Sequence, residues 1–424
     1  MLRTLFLIPH DVAGLPVFGF GWLFLILLGA MALRISVSRN SESGIAGWWQ
    51  GEGVSWLLIS AVAVFVLPAV ELTNLAGDPI GIAVRGYGVF LLLGVASGIG
   101  LAAYRASRYG LSSDIIYALA PWAFVGGIIG ARVFFVVQYR EQFMRDSFLE
   151  TLGEMLNFTA GGMVVYGSFI GGGAAVVYYL WRNKLSVLNF GDVILPCLFI
   201  GVFFGRMGCL MNGCCYGGRC EPGMWAVQFP PQSKVYEDQV QSGEIFGLTV
   251  DEASRKITAV EPGSIAESLN IQTESIYFGA GSLEGSLAGD VENLPVSDLH
   301  YGRRLSVDQR LISVPVEEMP DRALPVRATQ PISSISSLIL CLALCSLSRF
   351  VSKPGVVMWS GFLSYAMLRF GLEWVRVDEA GQFGTTFSIS QWVSVFVASA
   401  GALGLAFAWR RQPNVHLPVP ESAH

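Results

Sequence analysis

Charge is scarce in this sequence. Of 424 residues, 14 % are Asp, Glu, Lys or Arg and 53 % are hydrophobic, whereas an ordinary soluble domain carries about 25 % charged residues. That balance excludes a water-soluble globule. No stretch alternates with the period of two that marks a membrane barrel, while several apolar runs approach the roughly 20 residues a helix needs to cross about 30 Å of hydrocarbon. Histidine is scarcer still: His10, His300, His416 and His424 lie near the termini or in a polar stretch, which leaves no buried histidine cluster for a metal. Cysteines at C-x2-C spacing, the usual mark of a metal site, are missing as well. The N-terminal MLRTLFLIPHDVAG sets a proline and an acid before its apolar run and so lacks a signal-peptide layout.

What is present reads as an all-α polytopic membrane protein. Apolar runs predict nine spans, at about 16–36, 54–73, 82–104, 114–138, 161–181, 188–211, 334–349, 355–374 and 387–409. Arg34 with Arg39, Arg105 with Arg108, Arg182 with Lys184, Arg349 with Lys353, and Arg410 with Arg411 then fall on one side, which is cytoplasmic by the positive-inside rule. The N-terminus and the long polar segment 218–332 are thereby expected outside, and the C-terminus inside. Five parts follow: extra N-terminal spans over 1–79, a first part of the membrane core over 80–220, an extracytoplasmic insert over 221–332, the second part of the core over 333–412 and a cytoplasmic tail over 413–424.

Segment 139–160 carries Arg140, Glu141, Arg145, Asp146, Glu150 and Glu154 among apolar residues, and reads either as a helix on the membrane surface or as a connector. FGFGWLFLILLG at 18–29 echoes RGYGVFLLLG at 85–94, by duplication or by the chance likeness of two apolar helices. The insert is expected to be small, with α+β or irregular structure. Within it, ITAVEPGSIAESLNI at 257–271 resembles the strand, Pro-Gly turn and short helix of a PDZ domain, without the Gly-Asp that usually follows.

With that topology the polar residues of the spans gather in one leaflet. Arg85 and Tyr87 open an inward span, Arg132 comes late in an outward one, Tyr166 opens the next, and Arg206 with Asn212 close another. Tyr365, Arg369, Glu373 and Arg376 end a further outward span, and at 1.5 Å per residue they fall in its outer half. Spacing by four puts Tyr365, Arg369 and Glu373 on one helical face. Arg369 and Glu373 neutralise each other, which leaves Arg132 and Arg206, with Arg85 and Arg376, in excess. A cavity there is positive and suits a phospholipid phosphate, which accepts bidentate hydrogen bonds from guanidinium; snorkelling to the interface is the plainer reading of any single arginine. Gly126, Gly127, Gly130, Gly161, Gly162, Gly167 and Gly171 to Gly173 are read as close-packing residues, and Gly205, Gly208, Gly213 and Gly217 are assigned to the site.

The stretch 205–217, GRMGCLMNGCCYG, resembles the signature of the prolipoprotein diacylglyceryl transferase family. RGYGVFLLLG, GGIIGAR, GGMVVYGSFIGG, WAVQFP and SYAMLRFGLEWVR are similar to the family's other segments in the same order. The resemblance covers about residues 80–230 and 325–410. It implies a seven-helix core, here with two extra N-terminal spans, in the bacterial inner membrane. It also implies transfer of a diacylglyceryl group from phosphatidylglycerol to the lipobox cysteine thiol of a prolipoprotein, with release of glycerol phosphate. By position, Arg206 and Arg369 become the phosphate ligands and, with Tyr166, the catalytic residues. Tyr87, Arg132, Tyr365, Asn212, Gly217 and Glu373 bind substrate or hold the signature region. No metal and no cofactor is expected, because arginines stabilise the charge building on the leaving oxygens. The partners implied are phosphatidylglycerol, prolipoproteins and the membrane, with no nucleic acid, and a peptide or protein partner for the insert.

Three departures from the family pattern stand out. Tyr166 occupies the place of the family's histidine, and a phenol is a poor base at neutral pH unless cations favour its ionised form. Cys209 replaces an asparagine, and Cys214-Cys215 replace Glu-Leu. At 325–333, LPVRATQPI keeps only Gln330 of the usual motif. Two other functions therefore remain open: a non-catalytic relative that binds anionic lipid and presents its insert to a partner, and a membrane thiol-redox protein. Cys209, Cys214, Cys215 and Cys220 fit packed thiols, a disulfide or a metal site, whereas Cys197, Cys341 and Cys345 read as small apolar core residues.

Overall fold

The computed structural model describes residues 4–39, 53–74, 77–144, 147–157, 162, 164–251, 253–288, 300–374 and 384–412. A helix lies at each of the nine positions where an apolar run predicts one. They are α1 (Trp22–Arg39), α2 (Val54–Ala61), α3 (Gly86–Arg108), α4 (Ser113–Gln138), α5 (Val165–Arg182), α6 (Val187–Asn212), α7 (Thr329–Phe350), α8 (Val356–Glu373) and α9 (Ile389–Trp409). Five of these, α3, α4, α6, α7 and α9, are long and apolar enough to cross a membrane. Helix α2 continues through the π-helical turn Val62–Val66 and the 3-10 turn Pro68–Val70.

By its internal contacts the chain divides into two units, residues 1–89 with 208–328 and residues 90–207 with 329–424. In this grouping the signature's second half goes with the insert. The reason is backbone pairing. Gly217 N donates to Arg327 O (2.9 Å), Cys220 N to Pro325 O (3.1 Å) and Val235 N to Gly213 O (3.1 Å), and strand Val326–Arg327 pairs antiparallel with Ala226–Val227.

The first unit holds strands as well as helices. Thr4–Pro9 pairs antiparallel with Pro79–Arg85, an N-terminal strand that the apolar reading of this region overlooks. Helix α1 begins at Trp22 rather than near 16 because Asp11–Val12 and Leu15–Pro16 close a tight hairpin. Its two turn residues, Ala13 and Gly14, both have positive φ (54° and 79°), the backbone that a two-residue turn of matching twist requires.

The insert is α+β, with its own core of fully buried Phe229, Tyr236, Phe246, Leu248, Ile257 and Leu305. Its strands form a sheet of order Arg310–Val314, His300–Val307, Tyr277–Ala288 and a two-stranded pair Leu248–Val250 with Ile257–Val260. Within 257–271, strand Ile257–Val260 leads through a left-handed Gly263 (φ 73°) to helix Ile265–Ser268, capped by Ser264. This is the local order expected there.

In the second unit, α4 and α5 meet through glycine. A Cβ on Gly130 would lie 2.3 Å from Gly167 O, and one on Gly171 would lie 2.3 Å from Gly126 O, so only glycine lets the two backbones approach this closely. Arg105, one of the arginines counted as cytoplasmic, is buried and spends its guanidinium on Val193 O (3.1 Å), Asp192 O (3.0 Å) and Ser348 Oγ (3.2 Å). Asp192 in turn accepts from the backbone N–H groups of Gly355 (2.6 Å) and Met358 (2.7 Å) at the start of α8. These bonds tie α3, α6, α7 and α8 together. Cys197 and Cys341 are buried in the apolar clusters beside them. Segment 139–160 forms the short helices Arg140–Phe143 and Phe148–Leu156, while Arg145 and Asp146 lie outside the described residues.

Candidate active site

Three helix ends of the second unit carry one hydrogen-bonded chain. Tyr166 stands in the first turn of α5, Arg369 and Glu373 in the last turns of α8, and Ser388 and Ser390 at the start of α9. Arg369 Nη1 lies 2.5 Å from Glu373 Oε2 across one helical turn, the i,i+4 pairing that the spacing predicts. Arg369 Nη2 donates to Ser390 Oγ at 3.0 Å, and Tyr166 Oη lies 2.9 Å from the same Ser390 Oγ. Ser388 Oγ donates to Glu373 Oε1 at 3.0 Å.

The order Tyr166, Ser390, Arg369, Glu373, Ser388 thus links three helices through side chains alone. Glu373 is buried with a side chain 4 % exposed; a carboxylate in that setting requires a counter-charge, which Arg369 supplies at Oε2 while Ser388 donates to Oε1. Ser390 and Ser388 are site residues that the sequence reading missed. Their signal was nonetheless present: Ser388-Ile-Ser-Gln391 is a capping box, with Gln391 N donating to Ser388 Oγ and Ser388 N to Gln391 Oε1.

Other predicted residues of this unit have different surroundings. The Tyr365 ring packs 5.5 Å from that of Phe199 on α6. Arg132 is buried and donates to Met155 O (2.9 Å), Glu154 O (2.9 Å) and Gly162 O (3.2 Å), with Phe135 and Phe143 against its guanidinium. It therefore clamps the end of helix Phe148–Leu156 to α4. Arg206 is half-buried, and among the described residues nothing hydrogen-bonds or ion-pairs with its guanidinium.

In the first unit the signature ends α6 and turns back. Gly213 (φ 67°) makes the turn, where a Cβ would come within 2.6 Å of Ser233 Cβ. Cys214 Sγ donates to Cys209 O at 3.8 Å, with the Asn212 side chain near the same thiol, Tyr216 Oη donates to Asp238 Oδ2 at 3.0 Å, and Gly217 is buried on the backbone of Arg327. Tyr87 is 42 % exposed in the first turn of α3, and Arg85 donates to Thr4 Oγ1 at 2.8 Å. The Sγ atoms of Cys209, Cys214 and Cys215 lie within 4.8 Å of one another. Cys220 is not among them, and no disulfide occurs among the described residues. Arg376 and Gly161 lie outside the described residues.

Comparison with known proteins bears on these features together. The family profile of prolipoprotein diacylglyceryl transferase matches residues 78–407. The phosphatidylglycerol–prolipoprotein diacylglyceryl transferase of Rhodopirellula baltica is 41 % identical over 443 aligned residues, 97 % of this chain and 90 % of that protein. Those of Clostridium tetani and Deinococcus radiodurans are 30 % and 28 % identical over 32 % and 40 % of this chain, and 53 % and 52 % of their own lengths.

Proposed function

The chain belongs to the prolipoprotein diacylglyceryl transferase family, and on that premise we propose that it moves the diacylglyceryl group of phosphatidylglycerol onto the cysteine thiol of a prolipoprotein in a bacterial membrane. The sulfur attacks the glyceryl carbon that carries the phosphate, the C–O bond breaks, and its electron pair leaves with glycerol phosphate. Charge grows on the phosphate oxygens as this happens, so donors placed there lower the barrier. The observation that carries the reading is the chain Tyr166–Ser390–Arg369–Glu373, which fixes a guanidinium at the helix ends.

Arg206, with no protein partner among the described residues, takes the phosphate directly, and Arg369 supports the same anion. Glu373 holds Arg369 in one rotamer. Tyr166 acts on the reaction through Ser390, as a positioning residue rather than as the base. Tyr365, packed on Phe199, lines the lipid approach, and Gly217 holds the signature turn through its bond to Arg327; Tyr87, Asn212 and Arg132 keep the substrate-binding roles that the family resemblance implies. The same positive field favours the thiolate form of the attacking cysteine. We place segment 218–332 outside the membrane and the C-terminus inside, on the distribution of lysine and arginine between the spans.

The purified chain in detergent tests the proposal, given phosphatidylglycerol labelled in its head-group glycerol and a lipobox peptide. Labelled glycerol phosphate should appear in step with thioether-linked peptide. A correctly inserted protein that releases none would refute the transfer.

A further inference from the structure

The signature's three clustered thiols have no part in the arginine chemistry, and the way the helix ends explains how they meet. Gly213 N donates to Leu210 O (3.3 Å) and Cys214 N to Cys209 O (3.1 Å), with Gly213 left-handed. This is a Schellman terminator, which sets the third residue from the end against the second residue beyond it; here those are Cys209 and Cys214. Cys215 is itself left-handed (φ 58°), and its thiol completes the group. All three residues are half-buried, not sealed.

Among the described residues no histidine, carboxylate or further cysteine joins them. Tetrahedral zinc with Zn–S bonds near 2.3 Å sets its sulfurs about 3.8 Å apart. Sulfurs already within 4.8 Å reach that spacing by side-chain rotations of about 1 Å. Three protein ligands with the fourth position left open is the arrangement of a catalytic rather than a structural zinc. The Cys214 thiol is also held near the helix end by Cys209 O, 3.8 Å away, the kind of outer contact that orients a ligand.

We infer that Cys209, Cys214 and Cys215 bind one zinc ion as thiolates and that its open position takes the substrate cysteine. The inference rests on the transferase reading above and names the group that binds the substrate sulfur as a thiolate. The substrate thiol forms an S–Zn bond and gives its proton to water. A sulfur lone pair then forms the S–C bond to the glyceryl carbon while the C–O bond breaks, the electron pair departing with glycerol phosphate. The thioether product, a weaker ligand than a thiolate, leaves the ion. No side-chain base is needed, which suits a site with tyrosine at position 166.

The test uses the full chain in detergent, reduced, stripped with chelator and titrated with Co(II) as the coloured stand-in for zinc. One cobalt per chain with thiolate-to-metal charge-transfer bands is expected, displaced by zinc. Binding should be at least tenfold weaker in Cys214→Ser and in Cys215→Ser and unchanged in Cys220→Ser. No such bands in the wild type, or full binding in both serine variants, would overturn the site.

Should those variants fail to fold, alkylation of the wild type decides. Zinc should protect Cys209, Cys214 and Cys215 but not Cys220, and equal labelling with and without zinc overturns the site. A lipobox peptide added to the cobalt form should shift its spectrum while the serine version does not; no shift with either overturns the open position. Transfer at full rate by the stripped protein would overturn the inference and leave the transferase reading standing. Cobalt and thiol binding without transfer in any metal state would do the reverse.

Discussion

Replacing Tyr166 by Phe removes one hydroxyl, whose partner is Ser390 Oγ at 2.9 Å. If the phenol only holds Ser390, the loss is one neutral hydrogen bond worth about 0.5–1.5 kcal/mol. That corresponds to a fall in kcat/KM of about 2- to 13-fold. If the phenol instead moved the substrate proton, the fall would be about 10²- to 10⁴-fold, and a limb of the pH–rate profile would vanish. Ser390→Ala removes in addition the bond from Arg369, at 3.0 Å. This bond is charge-assisted and worth about 1.5–3 kcal/mol, so with the Tyr166 bond the loss is about 2–4.5 kcal/mol, a fall of about 30- to 2,000-fold. Because both changes act on one chain, the double variant should be no worse than Ser390→Ala alone. Release of labelled glycerol phosphate under subsaturating lipid measures all three. A loss of a hundredfold or more in Tyr166→Phe, or additive losses in the double variant, would refute the positioning role.

Three further outcomes follow from single features of the fold. Gly130→Leu forces a Cβ to within 2.3 Å of Gly167 O and should cost about 1–3 kcal/mol of stability, read as a lower Tm in detergent; an unchanged Tm would contradict the close glycine contact of α4 and α5. Gly213→Ala places a side chain at φ 67°, a left-handed cost of roughly 1–2 kcal/mol, besides crowding Ser233. Faster hydrogen exchange across 205–217 is expected, and unaltered exchange would count against the turn. Burial, aided by Arg303, lowers the pKa of His300 below its usual 6.5, so the unfolded chain binds its proton first and the insert loses stability as pH falls through and below 6.5. Protection of the amides of strand His300–Val307, taken relative to the intrinsic exchange rate at each pH, should therefore fall from pH 7.5 to pH 5.5 (about one unit to either side of that value) in the wild type and less in His300→Gln; equal falls would remove His300 as the cause.

The helices were legible because an apolar run long enough to span lipid has few other ways to satisfy its backbone. The pair Arg369 and Glu373 was legible from a spacing of four. Arg132 was found as a residue but not in its setting, since no local pattern states that Met155, Glu154 and Gly162 will offer their carbonyls. Ser390 was invisible for a related reason: its partners lie on two other helices, and serine in the first turn of a helix is ordinary. The strand Thr4–Pro9 reads as the start of an apolar segment until its partner Pro79–Arg85, some seventy residues away, is known. The thiol cluster lay between these cases. Asn-Gly after a helix announces a terminator that brings Cys209 and Cys214 together, although C-x4-C-C matches no usual metal spacing.

On the proposed function this chain transfers diacylglyceryl, and Arg206 receives the phosphate of its lipid substrate. Two hydrogen bonds from a guanidinium to that anion, at about 1.5–3 kcal/mol each, put the cost of Arg206→Ala at about 10²- to 10⁴-fold. The direct measurement is the mass of a reporter lipoprotein in a bacterial strain depleted of its own transferase. The wild-type chain should restore the diacylglyceryl mass, and Arg206→Ala, expressed and inserted to the same level, should not. An unmodified reporter with the inserted wild type, or full modification by Arg206→Ala, would contradict the account.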